Sequence, residues 1–224
     1  FPQPYGWLPD GARAAPGEIA NISGTPLAEA VRSRFYKAVT FGYIFALGAQ
    51  VGGALQLVKL VEERTDRSTA TLATIVLSTM SILSRFAAGR IIPKINMTRF
   101  TVGLAGLQGI SLASLGLINN RIGLLIAIGL FGVTIGNMVM MQSLLLAERF
   151  GVRDYPKIAA RSGLISFSGT ALGPLLLGWL YDVAGGYRSS YLAAGACSII
   201  GAILFSFAGS ASVASTEVAS AQSQ

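Results

Sequence analysis

The chain alternates long apolar runs with short clusters of charge. Asp, Glu, Lys and Arg are missing from six runs, which cover residues 38–58, 68–84, 100–120, 122–147, 162–181 and 189–216. About 20 residues of α-helix, rising about 1.5 Å each, cross a hydrocarbon core about 30 Å thick. The pattern therefore predicts an all-α polytopic membrane protein, with six transmembrane helices near 36–60, 69–92, 100–119, 122–148, 158–182 and 187–209.

Composition argues against a soluble protein and suggests three regions. Charged residues make up 12% of the chain, against about 25% in soluble domains, and the six apolar runs leave no polar faces for water. We predict a cytoplasmic linker over 1–35, a six-helix bundle over 36–209 and a disordered cytoplasmic tail over 210–224. Because the sequence begins at Phe1 without Met, we expect it to be a piece of a longer protein.

The basic residues predict the orientation in the membrane. Ten of them precede the first span or fill the second and fourth connections: Arg32, Arg34, Lys37, Arg90, Lys94, Arg99, Arg149, Arg153, Lys157 and Arg161. Five lie in the other connections: Lys59, Arg64, Arg67, Arg121 and Arg188. The positive-inside rule then places both termini in the cytoplasm. We expect the protein in the inner or plasma membrane of a bacterium. The same distribution explains the net charge of +7 without nucleic-acid binding.

Several chemical functions lack the residues they need. The chain has no histidine, which removes the usual base of intramembrane serine proteases and the ligands of zinc proteases. Cys197 is the only cysteine, so neither a disulfide framework nor a thiolate metal site is expected. The paired Asn-Pro-Ala segments of aquaporins are absent as well. We therefore expect no catalytic residue, no metal ion and no cofactor.

Arg85 is the one charged residue inside an otherwise apolar span. Its burial costs about 2.5–3.5 kcal/mol on insertion scales, which favours a functional role. Ser78 and Ser81 precede it by two turns and one turn on the same helix face, and a guanidinium suits a carboxylate partner. The hypothesis is an anion-binding arginine, with Ser81 beside it. The alternative is that its head group reaches the cytoplasmic interface near Arg90.

Other polar residues within spans are candidates for a substrate cavity. Tyr43 and Gln50 share one helical face, and Asn137 lies on a polar face of the fourth span. Each could instead form an interhelical hydrogen bond worth about 0.6 kcal/mol. Glu148 and Asp182 sit at helix ends, so no carboxylate lies deep in a span to carry a coupled proton.

Small residues predict where helices approach each other. Gly169 and Gly173 form a Gly-x-x-x-Gly pair in the fifth span, and Gly132 and Gly136 form another in the fourth. This spacing allows backbones to touch in lipid, although glycine is common in membrane helices generally. Pro174 removes a backbone hydrogen bond, which is tolerated where a neighbouring helix or a cavity compensates.

Three segments resemble the major facilitator superfamily. The connection from Gly89 and Arg90 to Arg99 is similar to that family's Gly-x-x-x-Asp-Arg-x-Gly-Arg loop, although Pro93 replaces the acid and Asn96 the second glycine. The other two segments are Gly169-x-x-x-Gly173-Pro174-x-x-x-Gly178-x-x-Tyr181-Asp182 and Ala147-Glu148-Arg149-Phe150-Gly151. The resemblance implies the second six-helix half of a twelve-span transporter, in which Gly89, Arg90, Arg99, Glu148 and Arg149 belong to the cytoplasmic gate.

Two further segments resemble the monocarboxylate and oxalate/formate branch: Pro4-Tyr5-Gly6-Trp7-Leu8-Pro9 and Ser84-Arg85-Phe86-Ala87-Ala88-Gly89. In that branch an arginine at the position of Arg85 contacts the substrate carboxylate. This chain has Ser81 where animal carriers have an acid, and its fifth span lacks the lysine of oxalate carriers. The resemblance implies a secondary transporter of small organic anions that works by alternating access, in the lipid bilayer and with an N-terminal half as its partner. The alternatives are a carrier of neutral or drug-like solutes and a non-transporting receptor.

Overall fold

The computed structural model describes residues 24–209 and residue 211. Over that part of the chain the structure is all-helical, with α1 (Leu27–Ala30), α2 (Arg34–Arg64), α3 (Arg67–Ile91), α4 (Met97–Leu117), α5 (Arg121–Phe150), α6 (Tyr155–Ala184) and α7 (Tyr187–Ser206). The six helices from α2 to α7 are each long and apolar enough to cross a membrane. The predicted fold class is confirmed to this extent: the protein is an all-α, multi-pass membrane protein. Most of the predicted linker and tail, including Pro4–Pro9, lies outside the described residues.

Polar caps set the starts of α2, α3, α4 and α5. The side chains of Ser33, Asp66, Asn96 and Asn120 each accept a hydrogen bond from a backbone N–H three residues later, which satisfies a donor that the first turn leaves free. Helices α2, α5 and α6 extend a few residues beyond both ends of the predicted spans, because their charged ends continue the helix past the apolar run. Helices α3 and α4 begin earlier but end slightly sooner than predicted, and α7 ends three residues sooner. The short helix α1 was not predicted; it lies at the end of the segment expected to be linker.

The six long helices form two triplets that pack in equivalent ways. Helix α2 packs mainly against α6 and α7, α5 packs mainly against α3 and α4, and α4 packs against α7. Exchanging α2 with α5, α3 with α6, and α4 with α7 leaves these main neighbours unchanged. The packing of α6 against α7 is outside this equivalence, because α3 and α4 scarcely touch. Three crossings separate each helix from its equivalent, so the two triplets run in opposite directions through the bilayer.

Glycines bring the backbones of α2 and α6 into contact. A Cβ atom added to Gly169 would meet the carbonyl oxygen of Ile44, and one added to Gly173 would meet that of Gly48, both far inside normal contact. A Cβ on Gly48 would in turn lie 3.0 Å from the carbonyl oxygen of Gly169. Pro174 follows within the same helix, next to this contact. In lipid, such close approach supplies the van der Waals contact that holds helices together.

The equivalent interface between α3 and α5 uses glycine on α5. A Cβ on Gly132 would lie 2.6 Å from the carbonyl oxygen of Leu77, and a Cβ on Gly136 would meet that of Ser81. Both Gly-x-x-x-Gly pairs noted in the sequence therefore face a neighbouring backbone, at corresponding places in the two triplets.

Hydrogen bonds join the helices where polar side chains are buried. Gln108 of α4 donates from Nε2 to the carbonyl oxygen of Ala46 (2.9 Å) and to Ser198 Oγ (3.0 Å), which links α4 to α2 and α7. At one end of the bundle, Arg64 donates to the carbonyl oxygens of Leu115 (2.5 Å), Gly116 (3.1 Å) and Ile118 (2.7 Å). These bonds satisfy carbonyls that the end of α4 leaves free.

The connection between α5 and α6 holds α1 in place. The backbone N–H of Leu27 donates to Asp154 Oδ2 (3.1 Å), and that of Thr25 donates to the carbonyl oxygen of Phe150 (2.8 Å). Lys157 pairs with the same carboxylate at 3.2 Å. The Leu27 N–H, followed by Lys157, holds the pKa of Asp154 below its usual range, so the ionised form is the one that docks α1.

We expect Gly173→Ala to lower the thermal unfolding midpoint of the detergent-solubilised protein. The added methyl group forces α2 and α6 apart, and overpacking of this kind costs about 1–3 kcal/mol. Gly178→Ala is the control on the same helix, because the nearest atom to its Cβ is Gln56 Nε2 at 3.8 Å. Equal midpoints for the two variants would contradict the close backbone contact.

Asp154→Ala should speed hydrogen exchange over residues 24–33, measured by mass spectrometry at pH 7, because Leu27 loses its acceptor. Asp182→Ala, which removes an exposed carboxylate at the other end of α6, should leave that exchange unchanged. Since the folded pKa of Asp154 is depressed, docking is complete above the unfolded value. In the wild-type protein the protection should begin to fall below about pH 4 and continue to fall until the pH passes below the depressed folded pKa. Protection that shows no decrease below about pH 4 would exclude the carboxylate as its source.

Candidate functional site

A cavity of about 520 Å³ lies between α2, α5 and α6. It extends from Ala159, near the start of α6, to Gln50, near the middle of α2. We name it the α2–α5–α6 cavity, and its wall consists of Leu47, Gln50, Val51, Val139, Gln142, Ser143, Leu146, Ala159, Ala160, Gly163, Leu164, Phe167 and Thr170. No ionisable side chain is in this lining, so the cavity offers apolar contact and uncharged hydrogen-bonding groups.

Gln50 contributes a buried acceptor without a partner to this wall. Its side chain is 6% exposed, and its Oε1 atom is buried with no hydrogen-bond partner among the described residues. A buried acceptor without a partner costs about 1–3 kcal/mol. A solute in the cavity that donates a hydrogen bond to this oxygen would remove that cost.

Gln142 belongs to a polar cluster that continues from the cavity wall into the bundle. The cluster consists of Thr40, Gln142, Ser162 and Ser166. Gln142 Nε2 donates to Ser162 Oγ (3.2 Å) and Ser166 Oγ (2.9 Å). Ser162 Oγ also lies 2.8 Å from Thr40 Oγ1, and Ser166 Oγ donates to the carbonyl oxygen of Thr40 (3.2 Å). Both N–H donors of the Gln142 amide are thus used, and the cluster fixes its orientation.

The structure separates the residues predicted to share one cavity. Tyr43 is fully buried, donates from its hydroxyl to the carbonyl oxygen of Met138 (3.0 Å) and packs on the ring of Phe205 at 4.9 Å. Asn137 lines a different cavity, between α3, α4 and α5. Gln50 remains in the α2–α5–α6 cavity, where Gln142 joins it. Sequence reasoning missed Thr40 as the partner of the α6 serines because a single threonine in an apolar run carries no signal of its own.

Arg85 lies on the exposed face of α3 and lines neither cavity. Its Nε atom donates to the carbonyl oxygen of Gly136 at 2.8 Å. Gly136 is near the middle of α5, so the guanidinium is held at that depth and does not extend toward the end of α3. One of its five N–H donors forms this bond. Ser78 shares the exposed face, whereas Ser81 is 9% exposed and lies against α5.

The residues predicted for a cytoplasmic gate lie at one end of the bundle. Gly89, Arg90 and Arg99 are exposed. Glu148 Oε2 is buried and has no hydrogen-bond partner in the described part of the chain, and the Arg149 guanidinium lies 5.7 Å from the ring centre of Phe35. Within residues 24–209, Glu148 forms no ion pair with Arg90 or Arg99. The ion pair in this part of the chain joins Asp154 to Lys157, at the start of α6.

Comparison with known proteins assigns no family to this arrangement. No protein-family model matches the chain, and a search of curated proteins found no significant match.

We expect Gln50→Leu to raise the thermal unfolding midpoint of the empty protein, because it removes an unpartnered acceptor while keeping a similar volume. Gln142→Leu is the matched control and should lower the midpoint, since it leaves Ser162 and Ser166 without their donor. If Gln50→Leu destabilises the protein as much as Gln142→Leu does, the Gln50 amide has a structural partner and is not poised for a solute.

Proposed function

We propose that this chain is half of a secondary active transporter, which carries small organic anions across the membrane by alternating access. The observation that carries the proposal is the pair of inverted helix triplets. Inverted repeats that rock around a site near the bilayer midplane are the common architecture of secondary transporters. A cavity that reaches from one end of the bundle to the middle of α2 fits such a site.

The exposure of α3 and α6 on the outside of the bundle supports a missing partner half. We compare the most apolar stretch of 18 residues in each helix. In that stretch, 11% of the residues of α3 and 22% of those of α6 are buried inside the bundle, against 44–56% in the other four helices. These two helices are equivalents in the inverted repeat, so both triplets leave the corresponding helix open. An N-terminal six-helix half that packs on α3 and α6 would complete the transporter, as the resemblance to the major facilitator superfamily implies.

Arg85 gives the reason to propose an anion. A guanidinium held at the depth of Gly136 lies in the apolar part of the bilayer, where an uncompensated charge is costly. It lies on an open face of α3, which a partner half would convert into a cavity wall. The guanidinium N–H groups of Arg85 would then be available to bind a substrate carboxylate near the midplane of the membrane. The resemblance to the monocarboxylate and oxalate/formate branch agrees with this assignment.

A neutral, hydrogen-bonding solute is the second candidate. The α2–α5–α6 cavity favours it, because its wall has no ionisable group and contains the unpartnered amide oxygen of Gln50. The two candidates depend on different residues, so variants of Arg85 and Gln50 distinguish them.

Uptake of labelled monocarboxylates by cells that express the complete gene tests the proposal. We expect Arg85→Gln to reduce uptake at least about tenfold, because a hydrogen bond to a charged group contributes about 1.5–3 kcal/mol. Arg90→Gln, at the exposed end of α3, is the charge-matched control. Normal anion uptake by Arg85→Gln would refute the role of the arginine, and uptake of a neutral solute that depends on Gln50 would support the second candidate.

Gly163→Leu tests the cavity itself. A Cβ at Gly163 meets nothing within 4 Å, and the residue lines the α2–α5–α6 cavity. Leucine there should fill the cavity and reduce uptake of either solute class without disturbing the fold. Gly106→Leu is the control, since its Cβ also has open space but lies outside both cavities. Unimpaired uptake by Gly163→Leu would exclude this cavity from the transport path.

A further inference from the structure

A second cavity, the α3–α4–α5 groove, has a different chemistry. Its volume is about 520 Å³, and it extends from Ile91 and Phe100 at one end to Asn137 near the middle of α5. Apolar side chains such as Met80 and Leu107 form most of its wall. The polar side chains in the lining are Ser84 and Asn137, and no lining residue is ionisable.

Asn137 is the polar group that the fold leaves unused in this groove. Its side chain is 1% exposed, its Nδ2 atom donates to the carbonyl oxygen of Val133 (2.9 Å), and its Oδ1 atom is buried without a partner among the described residues. Ser84 already donates its hydroxyl hydrogen to the carbonyl oxygen of Ser81 at 3.0 Å. The buried acceptor that the described residues leave without a partner in this groove is Asn137 Oδ1.

The equivalent groove in the inverted repeat lacks this feature. It lies between α2, α6 and α7, has a volume of about 370 Å³ and is lined by apolar residues and Cys197. No amide or hydroxyl side chain lines it. The repeated packing therefore produces a groove at both places without an asparagine, and packing alone does not account for the unpartnered amide of Asn137.

The depth of the groove in the membrane and the absence of charge in its lining indicate what kind of molecule fits it. Asn137 is about 20 Å from the Phe150 end of α5 at about 1.5 Å per residue, which is close to the centre of the hydrocarbon layer. Phospholipid head groups stay at the surfaces, about 15 Å from that centre. A charged ligand would find no counter-charge in the lining. The fitting molecule is uncharged and lipid-soluble, and it carries one hydroxyl donor.

We propose that the α3–α4–α5 groove binds an uncharged, lipid-soluble alcohol or phenol, whose hydroxyl group donates to Asn137 Oδ1 while its apolar body fills the groove. This site is separate from the α2–α5–α6 cavity and does not depend on the transport proposal.

The test is photolabelling of the purified full chain in lipid nanodiscs with a diazirine derivative of 1-octanol. Labelled residues are mapped by mass spectrometry. We expect label on groove residues such as Leu83, Ala87 and Leu107, and competition by unlabelled 1-octanol. The methyl ether of the same probe, which has no donor, should label the groove about three- to tenfold less, as expected for the loss of one hydrogen bond.

Two variants distinguish binding in the groove from labelling of any surface that faces lipid. Asn137→Leu should reduce labelling by the alcohol to the level of the ether. Gly103→Leu should abolish labelling by both probes, because a Cβ at Gly103 meets nothing within 4 Å and a leucine there fills the groove. Gly106→Leu, one turn further along α4 and outside the groove, should label like the wild type.

Two results would overturn the proposal. One is equal labelling by the alcohol and the ether in the wild-type protein, which would make the groove an ordinary lipid contact. The other is labelling that Gly103→Leu leaves unchanged while the variant keeps the wild-type thermal midpoint, which would place the probe elsewhere.

Discussion

The contact between the backbones of α2 and α6 is the constraint on which the bundle depends. Lipid tails are as apolar as leucine, so helices gain little from hiding apolar side chains and must associate through close packing and hydrogen bonds. Glycine supplies the close packing: Gly48, Gly169 and Gly173 allow α2 and α6 to touch, and Gly132 and Gly136 do the same for α5 and α3. Because the two contacts occupy equivalent places, they also establish the inverted repeat.

Buried polar groups serve two purposes in this protein. Gln108, Ser198 and Gln142 form hydrogen bonds between helices and hold the bundle together. Gln50 and Asn137 each keep a buried oxygen that has no partner among residues 24–209, and each lines a cavity. An acceptor left unpartnered at the wall of a cavity costs stability in the empty protein, and this cost is recovered when a ligand donates to it.

The sequence predicts the six crossings well because the thickness of the hydrocarbon layer fixes the length of each apolar run. It also identifies the glycine pairs, since their spacing is local. It does not predict how each helix is rotated about its axis. Tyr43 and Gln50 share a helical face, yet Tyr43 is packed in the interior and Gln50 lines a cavity, while Asn137 lines a separate groove. The inverted repeat was also missed, because it appears in the pairing of helices and not in any local motif.

The opposite orientation of the two triplets in the bilayer is the central claim, and the accessibility of single cysteines tests it most directly. Cysteine would be placed at or beside each connection of a Cys197→Ala protein and exposed to a membrane-impermeant maleimide in sealed vesicles. The positions are Ser68 (the second residue of α3), Lys94, Asn119, Arg153 and Gly185. We expect the cysteines at Ser68, Asn119 and Gly185 to be labelled from one side of the membrane and those at Lys94 and Arg153 from the other. Labelling of two consecutive connections from the same side would contradict it.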